Sequence, residues 1–151
     1  MQQKARILRL MLVAITLLLI TVIFLLSNQP ASKSGALSKK FATHSLPYVK
    51  KWTGQEMTIT QWNHTLRKLA HFSLYFFLAS IIMVLSRVHG WSWRKSLFVS
   101  LFISMSYAII DETHQWFVDG RGASVRDVAI DSAGAMLGIV AVYLVGRRWL
   151  K

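Results

Sequence analysis

Three short runs hold the residues best equipped for chemistry, and each sets titratable groups beside apolar chain. The first, RKLAHFSLY at 67–75, puts Lys68, His71 and Tyr75 at i, i+3 and i+7, so one helical stripe carries an ammonium, an imidazole and a phenol. The second, DETHQW at 111–116, has two adjacent acids directly after an apolar stretch. Negative charge at a helix C-terminus opposes the helix dipole, so Asp111 and Glu112 need another partner: Lys68, Arg121 or a bound cation. If the helix runs one turn further, Asp111 and Gln115 share a face, with His114 beside them. The third run, DGRGASVRD at 119–127, leads into Asp131. Ser124 followed by Asp127 fits the start of a capped helix, whose free N–H groups together with Arg121 suit a phosphate or carboxylate.

Ionisable groups are costly inside a bilayer, by about 2.5 to 3.5 kcal/mol each on insertion scales, so these clusters are candidates for function. Carboxylates at Asp111, Glu112, Asp127 and Asp131 suit Mg²⁺ or Mn²⁺, with Asp127 and Asp131 on one helical face as the leading metal ligands. His71, Glu112 and Asp111 are the acid–base candidates. Lys68, Tyr75, Gln115 and Arg121 are the candidates for holding substrate. Each cluster also has a plainer reading. Arg67 and Lys68 can snorkel to headgroups, His71 can be a satisfied interhelical bonder, and the acids can lie in a solvated loop.

The elements that must position these groups are four apolar blocks, at 10–26, about 70–85, 96–110 and 128–145. A bilayer core needs about 20 helical residues, and each block reaches that with its flanks. The 151 residues are 54% apolar and only 16% charged, too apolar and too poor in acids for an ordinary soluble domain. The expected fold is therefore all-α: a polytopic membrane protein with four transmembrane helices in one bundle. Residues 1–27 form a basic start and first span, read as an uncleaved signal anchor because its apolar run exceeds the roughly 7 to 15 residues of a cleaved signal. Residues 28–60, polar and holding both prolines, are expected to be a long external loop, with PYVKKW at 47–52 in the headgroup zone. Residues 61–151 supply the other three helices.

The net charge of +12 comes from Lys and Arg at the ends of apolar blocks, which points to anionic lipid headgroups and away from nucleic acid. The absence of cysteine excludes disulfides, thiolate nucleophiles and Cys-ligated zinc. With both termini cytoplasmic, Lys and Arg divide equally between the two sides. The net acidic stretch 111–127 tips the orientation to N-in and C-in, with that stretch outside. Trp62, Trp91, Trp93, Trp116 and Trp149 near span ends match an interfacial aromatic belt. Gly134 and Gly138 continue the Asp127–Asp131 stripe and permit close helix packing, within the chain or in a homo-oligomer.

Taken in order, RKLAHFSLY, DETHQWFVDGR and SVRDVAIDSAGAMLG resemble the VanZ-like family of small bacterial membrane proteins over roughly residues 60–145. Lys68, His71, Tyr75, Asp111, Glu112, Gln115, Arg121, Asp127, Gly134 and Gly138 stand at that family's characteristic positions. Leu74 and Asp131 depart from it, where an acid and an asparagine are frequent. The resemblance implies a multi-pass protein of the bacterial plasma membrane linked to resistance against the glycopeptide teicoplanin. Two classes of function follow. One is a non-catalytic envelope protein that alters glycopeptide access or lipid-linked wall precursors. The other is a membrane-embedded enzyme acting on a phosphorylated lipid or lipid-linked sugar, with a divalent metal or with His71 and Glu112 alone. Both require ionisable groups from three helices to meet in one pocket.

Overall fold

A computed structural model describes residues 2–149; the side chains of Leu37 and Trp149 lie outside the description, and with the latter its part in the aromatic belt. Five helices follow in order: α1 (Gln2–Ser27), α2 (Ala31–Thr53), α3 (Ile59–Val88), α4 (Trp93–Gln115) and α5 (Val125–Trp149). No strand occurs among the described residues. Helices α1, α3, α4 and α5 are long and apolar enough to cross a membrane, and they form one bundle in which α3 and α5 share the most extensive interface. Their outer faces carry exposed Leu17, Leu18, Phe98, Phe102, Ile110 and Leu144, the surface that acyl chains would cover.

The expected loop at 28–60 is largely a helix. Pro30 occupies the N-cap of α2, where its missing N–H costs nothing, and Gly54 ends the helix in a left-handed conformation at φ 66°. Ala42 and Leu46, one turn apart, are buried on the face turned to α3, and Trp62 Nε1 donates to Ser45 Oγ at 2.8 Å. The two prolines and the Ser/Lys-rich composition had read as loop. Yet Pro30 is a start signal, and Pro47 sits on the exposed side of a helix held by packing.

Gly134 and Gly138 explain the closeness of α3 and α5. A Cβ on Gly134 would collide with the Phe72 carbonyl, and one on Gly138 with the Phe76 carbonyl and Ser80 Oγ. This glycine face is therefore occupied within the chain, and a homo-oligomer built on it has no surface to use. Helix α4 has its own narrow stripe, in which Ser96, Ser100, Ser104 and Ala108 recur every fourth residue with no exposure.

Alternation of the four long helices puts the end of α1, the start of α3, the end of α4 and the start of α5 at one end of the bundle. At the other end, Arg9 donates to the Val88 carbonyl, Arg87 lies over the Trp93 ring and Lys95 over the Trp91 ring. Trp62 and exposed Trp116 stand at the first end, Trp91 and Trp93 at the second. Indoles thus mark both ends of the bundle.

Candidate functional site

At the first end, α3, α4, α5 and the 116–124 connection enclose a cavity of about 250 Å³, with the start of α2 at its rim. Helix α4 runs through Gln115, one turn beyond its apolar block, so the acids are helical and buried. Asp111 is 3% exposed and Glu112 4%, which removes the solvated-loop reading. The cavity wall includes Lys68 and His71 from α3, Glu112 and Gln115 from α4, Arg121 from the connection, and Asp127 and Asp131 from α5. Asp111 and Tyr75 stand behind it, both buried.

Each acid has a different partner. Asp111 Oδ2 accepts from Ser27 Oγ at 2.8 Å and from Gln115 Nε2 at 3.2 Å. Gln115 is fixed in turn by Arg121, whose Nη1 donates to Gln115 Oε1 while Nη2 donates to the Leu26 carbonyl. Glu112 Oε2 accepts from the Ser124 backbone N–H at 2.7 Å. The anion-binding helix start that the sequence offers is thus filled by the chain's own carboxylate, which clamps α4 to α5. Asp127 pairs with Lys68, Nζ to Oδ1 at 2.5 Å. Its backbone N–H goes to the Ser124 carbonyl.

Asp131 is the exception. At 1% exposure, neither of its oxygens has a hydrogen-bond partner, although burying a carboxylate without one costs several kcal/mol. Its ion-pair partner is His71, whose Nδ1 lies 3.7 Å from Asp131 Oδ2 and 4.0 Å from Asp111 Oδ2. The expected ligand pair Asp127 and Asp131 is therefore divided. The i, i+4 spacing puts both on one face of α5, but Asp127, a turn nearer the helix start, meets Lys68, while Asp131 meets His71. The fully buried Tyr75 hydroxyl also lacks a hydrogen-bond partner.

Arg67 and Arg121 give the cavity a cationic side, with His64 beside them, while Lys68 is already paired with Asp127. Burial, and then the charge of Arg67, lowers the pKa of Arg121 from its ordinary value, with Asp111 and Glu112 opposing in part. Gly120, at φ 69°, turns the chain so that Arg121 enters the cavity, and the Asp119 backbone carbonyl accepts from the Ala31 N–H, tying this turn to the start of α2. Sequence reasoning missed Ser27 and His64. Ser27 looks like the polar end of a span, and only the bundle brings it to Asp111, 84 residues away. His64 lies one turn before Lys68 on the same stripe, a spacing that was available.

Chemically, the arrangement offers an imidazole between two buried carboxylates, which can exchange a proton or share a cation, beneath a rim able to hold an anion. No curated protein and no solved structure matches this chain. The sequence model of the VanZ/LLP1 family matches residues 12–146. That span takes in α1 and all three motif runs with the intervening α2, and so this four-span membrane protein belongs to the VanZ/LLP1 family.

Proposed function

We propose that this protein sits in the bacterial plasma membrane, with both termini cytoplasmic, and binds the phosphate-bearing head group of an envelope lipid in the pocket. Lipid-linked wall precursors are the foremost candidates, and through them the protein alters susceptibility to glycopeptides such as teicoplanin. The observation that carries this is the pair of guanidinium groups, Arg67 and Arg121, in the lining of a cavity at one end of an apolar bundle. A lipid held by its acyl chain in the bilayer can present its phosphate there, where the surrounding apolar medium strengthens each ionic contact. Family membership supports the glycopeptide link.

The test is binding of a polyprenyl phosphate by the purified protein in nanodiscs, alongside teicoplanin susceptibility of cells producing each variant. Arg121→Gln is expected to weaken lipid binding by about tenfold, the loss of one charge-assisted contact, and to remove any change in susceptibility at unchanged membrane abundance. Equal binding by wild type and Arg121→Gln would reject the reading.

A second reading, an enzyme acting on the same phosphorylated lipid, is favoured by His71 between two carboxylates. In it His71 takes or gives a proton at the bound head group while Arg121 holds the phosphate. Turnover of the polyprenyl phosphate, lost in His71→Gln with binding kept, would distinguish it from binding alone.

A further inference from the structure

Asp131 and its neighbours have a geometry that hydrogen bonding does not explain. His71 Nδ1 is 3.7 Å from Asp131 Oδ2 and 4.0 Å from Asp111 Oδ2, both beyond the roughly 2.7 to 3.2 Å of a hydrogen bond. One ligating atom from each of the three residues lies within 4.8 Å of the others. Metal bonds of about 2.0 to 2.2 Å hold ligand atoms roughly 3 to 4 Å apart, which matches the separation of His71 from each of the two acids. Among the described residues no lysine or arginine comes within ion-pair distance of Asp111 or Asp131.

We propose that His71, Asp111 and Asp131 bind one divalent transition-metal ion, Mn²⁺ or Zn²⁺, at the inner wall of the pocket. Independent of the spacing, the buried Asp131 carboxylate, with neither oxygen hydrogen-bonded and the His71 imidazole as its one ion-pair partner among the described residues, calls for a cation at this point. The donor set selects the ion. Imidazole favours transition metals and carboxylates suit harder ions, so one nitrogen with two carboxylates fits Mn²⁺ or Zn²⁺ better than Ca²⁺, which takes six to eight oxygens. Support from behind is in place. Ser27 and Gln115 fix the Asp111 carboxylate, whose two oxygens offer about four lone-pair sites, and Arg121 fixes Gln115. The three come from α3, α4 and α5, so the ion would also fasten these helices together. Three protein ligands leave a coordination position open toward the cavity, where water or a phosphate oxygen can enter. The ion is inferred from its donors alone and stands or falls apart from the phosphate reading above.

The experiment uses the full chain in nanodiscs, stripped with EDTA and titrated with MnCl₂ while the paramagnetic resonance of free Mn²⁺ is followed, with ZnCl₂ as competitor. The wild type is expected to bind one Mn²⁺ per chain, displaced by Zn²⁺, and to melt at a higher temperature when loaded. Asp131→Asn and His71→Gln are expected to weaken binding by about 100-fold or more, whereas Asp127→Asn keeps it, because that carboxylate belongs to Lys68. A wild type that binds neither ion stoichiometrically, or an Asp131→Asn variant that binds as well as the wild type, overturns the proposal. The first needs no variant to fold. Polyprenyl phosphate binding by the stripped wild type is read separately, so its failure with Mn²⁺ binding intact would remove the phosphate reading only.

Discussion

At the scale of single residues, adjacent acids have opposite duties. Asp111 turns inward to Ser27, Gln115 and His71, whereas Glu112 turns to α5 and accepts the Ser124 N–H. Glu112→Leu removes the only acceptor that N–H has among the described residues and is expected to cost about 1 to 3 kcal/mol of stability. Glu112→Gln keeps an amide oxygen in place and is expected to cost less than half of that. Thermal unfolding of the three proteins in one detergent checks the order, and equal loss by both variants would mean that charge matters more than the bond. Which residues come together was largely legible, since an imidazole and four carboxylates beside apolar spans are costly unless they find partners. How they pair was not. Asp127 and Asp131 have equivalent positions in the sequence pattern, and only the offset of α3 against α5 gives one to Lys68 and the other to His71.

At the scale of elements, α3 and α5 determine the site, because Lys68 and His71 must be brought level with Asp127 and Asp131. Gly134 and Gly138 set that separation. A leucine at 138 would drive its side chain into the Phe76 carbonyl, backbone that cannot rotate away, and so would push the helices apart. Gly138→Leu is expected to lower membrane abundance and melting temperature, and to disrupt any binding in the pocket. Unchanged melting would show that the two helices are held elsewhere. The glycine spacing was legible as a packing device, but whether its partner was α3 or another copy depends on topology, which spacing does not contain. Helix α2 is the converse case. Its composition reads as loop, yet Phe41, Tyr48 and Trp52 fall at i, i+7 and i+11 as one exposed stripe, while Lys33, Lys40 and Lys51 form another. Such a helix suits the headgroup zone, where rings enter the acyl boundary and lysines meet phosphates. Its period of 3.6 was present in the sequence, hidden because the buried face rests on one small residue, Ala42, and a single leucine, Leu46, too few to stand out as an apolar stripe.

For the whole molecule, four alternating spans force the site to one membrane end, and which side that end faces decides what it can meet. The Lys and Arg totals leave the orientation balanced, and the net acidic 111–127 stretch favours the outer face for the pocket. The bundle strengthens this choice in one respect. At the pocket end Asp127 is paired with Lys68 and Glu112 accepts from the Ser124 N–H, whereas at the opposite end Arg9 is bonded to the Val88 carbonyl and Lys95 lies over the Trp91 ring, both cations held by groups that carry no charge. An end with surplus cations is the one retained in the cytoplasm. The absence of cysteine makes the test direct. Single cysteines at 36 on α2 and at 122 beside Arg121 should react in intact cells with a membrane-impermeant maleimide, while one at 90, between α3 and α4, should react only after lysis. Labelling at 90 in intact cells, with 36 and 122 protected, would place the pocket on the cytoplasmic side. Glycopeptides and the finished wall precursors they bind lie outside, so that result would redirect the search to lipid phosphates of the inner leaflet, while the metal site and the helix packing would stand unchanged.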